Sequence, residues 1–290
     1  MPTSTRNPSG MLLNLKNNYF LIDCGEGAQI QLLRLKCKFQ RISRIFISHL
    51  HGDHFFGLIG LISSFHLLGR KDVLHIHADE KIREIIEIQL KASLTELVYP
   101  VEYHPLPSKP EIIYEDDELY VKTFPLEHRI LTNGFLFAEK PLPRKIRKDF
   151  IKKEEVTIEE IKRIKAGDDF VSKSGKFYHN SAITISPPKP RSFAYCSDTR
   201  YTESIAEHVK DVTLLYHEAS FMNDFEKTAG EKYHATASQA AQIAEKANAG
   251  KLLIGHFSAR YKDVERLLEE AVDIFKNTIA AEDGMKIQVK

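Results

Sequence analysis

The chain has 290 residues, of which 42% are hydrophobic and 28% charged, and this ordinary globular composition excludes wholesale disorder. Its net charge of +1 excludes a global field that attracts nucleic acid, so any such contact must come from local patches. Because no long apolar run and no apolar signal core are present, we predict no membrane segment. The three cysteines form no Cys-x-x-Cys pair, which is typical of reduced thiols in a cytoplasmic protein.

The first predicted element is a hairpin, formed by Met11–Leu15 and Tyr19–Asp23 around a short polar turn. Further strands are predicted at Arg44–Ser48, Val73–Ala78, Leu119–Phe124, Gly134–Ala138, Ala182–Ser186, Phe193–Cys196, Val212–Tyr216 and Lys251–Ile254.

Helical patterns alternate with these strands, at about 54–68, 80–97, 157–165, 202–210, 236–249 and 262–276. Thr157 and Thr236 are predicted N-caps, and Thr157 is followed by Glu160 as a capping box requires. Strands interleaved with helices predict an α/β fold in which helices cover the sheets.

One short run, Ser48–His54, carries the strongest chemical signal. It contains His49, His51, Asp53 and His54 at a predicted strand-to-helix turn. Neutral imidazole and carboxylate groups suit zinc and similar divalent ions, and so many ligands in one loop favour two ions. Chance histidines in a polar turn are the alternative, which the density of the pattern disfavours.

Other charged and imidazole side chains follow the carboxyl ends of apolar strands. Asp198 follows Phe193–Cys196, His217 and Glu218 follow Val212–Tyr216, and His256 follows Lys251–Ile254. Since α/β sheets place their sites at these strand ends, we expect the side chains to converge. Each residue alone could equally serve a capping or loop role.

The pattern His49-x-His51-x-Asp53-His54 resembles the signature of the metallo-β-lactamase superfamily. Four further segments together resemble ribonuclease Z in its short form: Asp23–Gln29, His217–Ser220, His234–Thr236 and His256–Tyr261. The resemblance extends to about Tyr261. It implies an αββα sandwich, with two mixed β-sheets flanked by helices in a single domain over residues 1–290.

The resemblance also implies the ligands of two Zn²⁺ ions per subunit, with Mn²⁺ as a possible substitute. One ion would be held by His49, His51, His128 and Asp198, and the other by Asp53, His54, His256 and the bridging Asp198. His128 is assigned through the resemblance alone, because an isolated histidine after a strand is more often a surface residue.

The same resemblance implies a chemical role for each catalytic side chain. A metal-bound hydroxide would attack the phosphodiester, with Asp53 orienting or deprotonating the nucleophile. His234, positioned by Glu218, would protonate the leaving 3′ oxygen. A loop-stabilising ion pair is the alternative for Glu218–His234, and His217 fits either the pocket wall or a structural hydrogen bond.

The remaining histidines match no ligand pattern and are interpreted as structural or solvent-facing: His66, His75, His77, His104, His179 and His208. His75 and His77 share one face of a predicted strand, but no third ligand accompanies them in the sequence.

Contacts with RNA are predicted at three places. Pro2–Asn7 resembles the family's substrate loop, with Arg6 as a phosphate contact, and Arg260 lies close in sequence to ligand His256. The segment from Lys140 to Lys165 contains ten Lys or Arg residues and five Asp or Glu residues, so its local charge is positive. This region corresponds to the family's tRNA-binding arm, and residues 140–178 are interpreted as an altered or shortened arm.

The resemblance therefore implies a cytoplasmic, zinc-dependent endoribonuclease that removes 3′ trailers from precursor tRNA and leaves a 3′-hydroxyl. The family usually works as a homodimer. The alternative is a dinuclear-metal phosphodiesterase that acts on small phosphodiesters. A non-enzymatic RNA-binding scaffold is disfavoured, because no ligand is missing.

Overall fold

The computed structural model describes residues 3–290 and divides them into two compact units. The larger unit comprises the chain up to Phe137 together with Ser192–Lys290, and the smaller comprises Ala138–Arg191. Within residues 3–290 no helix is both long and apolar enough to cross a bilayer.

The strands of the described residues are, in chain order, β1 (Met11–Leu15), β2 (Asn18–Ile22), β3 (Ile42–Phe46), β4 (Leu74–Ala78), β5 (Val101–Pro105), β6 (Glu111–Glu115), β7 (Leu119–Leu126), β8 (Thr132–Glu139), β9 (Lys145–Ile146), β10 (Phe170–Val171), β11 (Phe177–Tyr178), β12 (Thr184–Ile185), β13 (Ser192–Cys196), β14 (Leu214–Glu218), β15 (Leu252–Gly255) and β16 (Thr278–Ala280).

The α-helices are α1 (Ala28–Arg34), α2 (Gly52–Phe55), α3 (Leu58–Leu67), α4 (Lys81–Ala92), α5 (Lys148–Lys153), α6 (Ile158–Ala166), α7 (Asn180–Ile183), α8 (Ser204–His208), α9 (Glu226–Glu231), α10 (Ala237–Lys246) and α11 (Glu265–Ile274). Short 3₁₀ helices occupy Phe39–Arg41 and Asn223–Phe225.

The first sheet has the strand order β1-β2-β3-β4-β5. β1 and β2 form an antiparallel hairpin, and β2 to β5 run parallel. Lys16 and Asn17, with φ of 53° and 64°, form the two-residue turn of the hairpin. Two left-handed residues give the turn a twist that matches the flanking strands, and asparagine accepts this conformation readily.

The second sheet has the strand order β16-β15-β14-β13-β8-β7-β6. β13, β14, β15 and β16 are parallel, whereas β6 pairs with β7 in the antiparallel sense. Both sheets are therefore mixed. Helices connect the parallel strands, as the crossovers of such strands require.

The layers of the larger unit can be seen from the side chains of single strands, which alternate between two different hydrophobic cores. In β2, Phe20 and Ile22 belong to a core shared by the two sheets, whereas Leu21 belongs to the core under the helices of the first sheet. In β15, Leu253 lies in the shared core, and Leu252 packs with α10 and α11. The larger unit is thus the predicted αββα sandwich.

The smaller unit has its own apolar core, formed by Ile146, Phe150, Ile164, Phe170 and Ile183. Its strands make two small two-stranded sheets, β9 with β12 and β10 with β11. The interpretation of residues 140–178 as an altered or shortened arm remains a prediction.

Helix caps match the sequence analysis closely. Thr157 accepts a hydrogen bond from the backbone of Glu160, whose side chain accepts one in return. Thr236 forms the same capping box with Gln239, which the sequence analysis had not specified. These caps fix the first turns of α6 and α10.

The predicted strand Ala182–Ser186 is wrong over most of its length. Asn180–Ile183 forms helix α7, and only Thr184–Ile185 pairs as a strand. The Asn180 side chain donates to the carbonyls of Ile164 and Asp168, which holds this turn helical. Such distant contacts override a local β preference.

Candidate metal centre

The loop after β3 carries the local ligand cluster. His49 and His54 are buried, whereas His51 and Asp53 are partly exposed. His51 is the N-cap residue of α2, and Asp53 lies in its first turn, where the helix dipole favours a negative charge. The sequence thus places buried and accessible donors side by side at one strand end.

The segment Asp23–Gly25 packs directly against this loop. The Cys24 amide donates to the carbonyl of His54 at 2.7 Å. A Cβ on Gly25 would lie 2.3 Å from the backbone oxygen of Asp53, so only glycine allows the approach. This contact explains physically why an Asp-Cys-Gly run accompanies the histidine cluster.

The other predicted site residues arrive at the same place from separate strands. His128 follows β7, Asp198 follows β13, Glu218 ends β14, and His256 follows β15. All are carboxyl ends of strands, as the sequence analysis expected. His256 has φ of 58°, a left-handed conformation that costs energy in a residue with a side chain.

Asp198 lies at the middle of the cluster, and its two carboxylate oxygens face different groups of ligands. Oδ2 is 3.8 Å from His49 Nε2 and 3.9 Å from His128 Nε2. Oδ1 is 3.4 Å from His54 Nε2 and 3.3 Å from His256 Nε2. The carboxylate therefore separates two ligand sets.

The two sets are completed by His51 and Asp53. His51 Nδ1 lies 3.1 Å from His49 Nε2 and 3.2 Å from His128 Nε2. On the other side, Asp53 Oδ2 is 3.9 Å from His256 Nε2. Each set has enough nitrogen and oxygen donors within reach of one another to hold a divalent ion.

A hydrogen bond to Nδ1 orients each of four rings so that Nε2 faces the centre. The Nδ1 partners are Ser48 Oγ for His49, Asp23 for His54, the Tyr233 carbonyl for His128 and Ser220 Oγ for His256. Histidines that ligate metals usually engage their second nitrogen in this way, which fixes the tautomer.

Asp23 organises this outer layer and was not among the predicted site residues. Its buried carboxylate accepts hydrogen bonds from His54 Nδ1, the Ser48 amide and hydroxyl, and the Tyr195 hydroxyl, at 2.7–3.0 Å. Its signals in the sequence were its position after an apolar strand and its place at the start of the Asp23–Gln29 segment that carries the family resemblance.

The electrostatics of the two ligand sets differ. Burial lowers the pKa of His49 to about 2, and burial likewise lowers the pKa of His51 and His128. Burial also disfavours the charged form of His256, but the carboxylates of Asp198 and Asp53 outweigh it and raise that pKa to about 9. The carboxylates thus stabilise positive charge mainly in the ligand set that contains His256.

Asp198 is held ionised in spite of its burial. Burial alone would raise the pKa of Asp198, but the imidazoles of His256, His54 and His49 hold it well below its usual range. For Asp53, the interaction with the His256 ring, whose Nε2 lies 3.9 Å from Asp53 Oδ2, is the main cause of a lowered pKa. Both carboxylates are therefore available as anionic ligands near neutral pH.

Glu218 and His234 form a pair beside the ligands. Glu218 Oε1 lies 2.8 Å from His234 Nδ1, and the carboxylate also accepts from the amides of Thr199 and Ser220. Burial lowers the pKa of His234, but the charge and hydrogen bond of Glu218 outweigh it, so the pKa is raised. The pair can hold a proton on His234 near neutral pH.

His217, next to Glu218 in β14, makes a structural hydrogen bond. Its side chain is fully buried, and Nδ1 donates to the carbonyl of Glu218 at 2.7 Å. Of the two interpretations left open, the structural hydrogen bond is the one observed.

The two predicted phosphate contacts occupy different surroundings. Arg6 Nη2 donates to the carbonyls of Ser258 and Tyr261 at 3.2 and 2.7 Å, which ties its loop to the segment after His256. The exposed Arg260 guanidinium lies over the rings of Phe221 and Phe225, 4.9 and 4.5 Å from their centroids. Pro2, the first residue of the predicted substrate loop, lies outside the described residues.

Comparisons with known proteins show relatives that match the full length of this chain. A family model described as anti-Pycsar protein Apyc1 matches residues 3–140, and one described as a beta-lactamase superfamily domain matches residues 163–257. The chain is 47% identical to ribonuclease Z of Phocaeicola vulgatus, covering 100% of this chain and 94% of that protein.

Two further relatives extend the comparison. Ribonuclease Z of Bacteroides fragilis is 45% identical, with 100% of this chain and 95% of that protein covered. The crystal structure of human tRNase Z, short form, matches with a TM-score of 0.73 at 27% identity, covering 100% of this chain and 95% of that one.

Proposed function

The chain belongs to the ribonuclease Z family, and from that membership we propose that it is a metal-dependent endoribonuclease that removes 3′ trailers from precursor tRNA. The observation that carries the proposal is the position of Asp198, whose two oxygens face two separate sets of donors. Such a carboxylate is suited to bridge two cations.

The donor set fits two divalent ions, and zinc suits its imidazoles and carboxylates best. His54 Nε2 and His256 Nε2 are buried and make no hydrogen bond within residues 3–290, which is costly unless a cation occupies the space between them and Asp198. His49, His51, His128 and Asp198 would hold one ion, and Asp53, His54, His256 and Asp198 the other. When bound, such ions lower the pKa of water and neutralise phosphate charge.

The side chains of the protein supply the proton transfers. Asp53, anionic and partly exposed, orients the attacking water and accepts its proton. As the new P–O bond forms, the bond from phosphorus to the 3′ oxygen breaks, and His234 donates a proton to that oxygen. Glu218 keeps His234 protonated beforehand. The products are tRNA with a 3′-hydroxyl and a trailer with a 5′-phosphate.

Substrate contacts are proposed at Arg260 and Arg6. Stacking on Phe221 and Phe225 limits the rotamers of Arg260 and leaves its guanidinium exposed in the segment that follows His256, which favours contact with a phosphate. Arg6 would contribute in two ways: it fixes the 258–261 segment, which contains Arg260, and its positive charge attracts phosphate. Both proposed contacts therefore involve the 258–261 segment.

The smaller unit offers an additional surface for RNA. Lys145, Arg147, Lys148, Lys152 and Lys153 are exposed and close in sequence, and they dominate the charge of this region. Because phosphate contacts release counterions, we expect binding of precursor tRNA through this surface to weaken steeply with salt.

One assay tests the function. The purified protein is incubated with a precursor tRNA, with and without chelator and at low and high salt, and the cleavage ends are mapped. We expect one cut at the 3′ end of the mature tRNA, which chelator abolishes and salt weakens. Efficient cleavage of a chromogenic phosphodiester, with no cut in the precursor, would instead support the small-phosphodiester alternative.

We also propose a homodimer. Ile30 and Leu33 of α1, Phe56, and Leu67 at the end of α3 are exposed apolar side chains on neighbouring elements, linked through a hydrogen bond between Gln29 and Ser64. Burying this surface against a second copy would remove it from water. Light scattering is expected to give twice the chain mass of 33.2 kDa, and the single mass would contradict the dimer.

A cytoplasmic location is proposed because the substrate class is found there and because Cys24, Cys37 and Cys196 are all free thiols. Fractionation of cells that express the protein would test it, and recovery in a membrane or secreted fraction would contradict it.

A further inference from the structure

A second cluster of ligand-type side chains lies on the first sheet, away from Asp198. β4 and β5 are parallel, and their register places His75 opposite Glu102 and His77 opposite His104. Alternate residues of a strand point to the same face, so these four side chains share one face of the sheet. β5 is the edge strand of this sheet.

Three atoms of this cluster converge on one point. His75 Nδ1 is 3.0 Å from His104 Nε2 and 3.2 Å from Glu102 Oε2, and His104 Nε2 is 3.8 Å from Glu102 Oε2. The point equidistant from three atoms so separated lies about 2.0 Å from each, the distance that zinc keeps from imidazole nitrogen and carboxylate oxygen. The observed spacing is therefore that of ligands around a single ion.

The rings are held in place by stacking. The His104 ring stacks on His77, with centroids 4.6 Å apart and planes 17° apart, and His77 stacks in turn on Phe46. His77 and Phe46 are buried, so this stack anchors His104 to the sheet. Donors held by packing lose less freedom when they bind a ligand.

The charges around the cluster favour a cation. Burial and the nearby Arg44 lower the pKa of His75 and of His104, which keeps both imidazoles in the neutral form that metals require. Glu102 supplies a negative charge. Arg44 opposes a cation, but its guanidinium packs 4.0 Å from the centroid of the Tyr114 ring.

We propose that His75, Glu102 and His104 form an additional binding site for Zn²⁺ or a similar divalent transition-metal ion. The three side chains are partly exposed, which leaves room for water as a fourth ligand. An ion there links β4 to β5 and so stabilises the exposed edge of the sheet. No third ligand beside His75 and His77 is predicted from the sequence, because Glu102 and His104 reach this face only through the pairing of β4 with β5.

The test is zinc content. The wild-type protein and the variants His75→Ala, His104→Ala and His179→Ala are dialysed against buffered free Zn²⁺, and bound zinc is measured by mass spectrometry. His179 is a matched control, an exposed histidine of the smaller unit. Wild type and His179→Ala are expected to bind about one equivalent more than the other two variants. Cleavage of precursor tRNA should remain unchanged in all four.

Two further variants separate this site from the centre around Asp198. Asp198→Ala should lose the zinc of that centre but keep the additional equivalent bound by His75, Glu102 and His104. The double variant Asp198→Ala, His104→Ala should lose this additional equivalent as well. If His75→Ala does not fold, the comparison rests on His104→Ala, which removes the Nε2 ligand atom from a partly exposed edge strand. Equal zinc content in wild type and in folded variants of His75 and His104 would overturn the proposal and leave a simple hydrogen-bonded histidine pair.

Discussion

Replacing Asp198 by alanine is expected to remove both catalytic ions and to reduce cleavage of precursor tRNA by more than about 10³-fold. Asp198 contacts both donor sets, so its loss takes a ligand from each ion at once. It also removes one of the carboxylates that attract positive charge to His54 and His256, while Asp23 and Asp53 remain beside these rings. Metal analysis and a cleavage assay on the same preparation measure both effects.

Asp273→Ala is the matched control for this experiment, because Asp273 is exposed and lies in α11, outside the site. Circular dichroism establishes that Asp198→Ala remains folded. Retention of the wild-type metal content by folded Asp198→Ala would contradict the bridging role.

Replacing His234 by alanine is expected to slow cleavage of precursor tRNA by about 10²–10⁴-fold while metal content stays unchanged. His234 belongs to the pair with Glu218 and is assigned as the proton donor to the leaving oxygen, not as a ligand. A general acid must be protonated, and Glu218 raises the pKa of His234. The wild-type rate should therefore fall as pH rises through that raised pKa, and the variant should lack this fall.

The choice of leaving group gives this prediction a sharp control. A nitrophenyl phosphodiester releases a stable anion that needs no proton, so His234→Ala should cleave it almost as fast as the wild-type protein does. Glu218→Gln should behave like His234→Ala but with a smaller effect. Normal cleavage of precursor tRNA by His234→Ala would show that the acid role is wrong.

The residues that could be predicted from sequence were those whose signal is local. His49, His51, Asp53 and His54 lie within six positions, and each strand from β13 to β15 has a charged or imidazole residue at or just after its carboxyl end. His128 carries no such signal, and only the family resemblance identified it before the structure placed its Nε2 near Asp198.

The residues that were missed depend on strand pairing. Asp23 reaches Ser48 and Tyr195 because β2 pairs with β3 and because the two sheets pack face to face. His104 meets His75 through β5, a short and partly exposed edge strand that gives little hydrophobic pattern and was not predicted. Register between distant strands cannot be deduced from local propensity.

The centre is expected to hold two cations, one on each side of the Asp198 carboxylate, and anomalous scattering from crystals grown with Zn²⁺ measures them directly. We expect two strong peaks at the zinc edge beside Asp198, one among His49, His51 and His128 and the other among Asp53, His54 and His256. A single peak, or none, among these side chains would contradict the dinuclear centre.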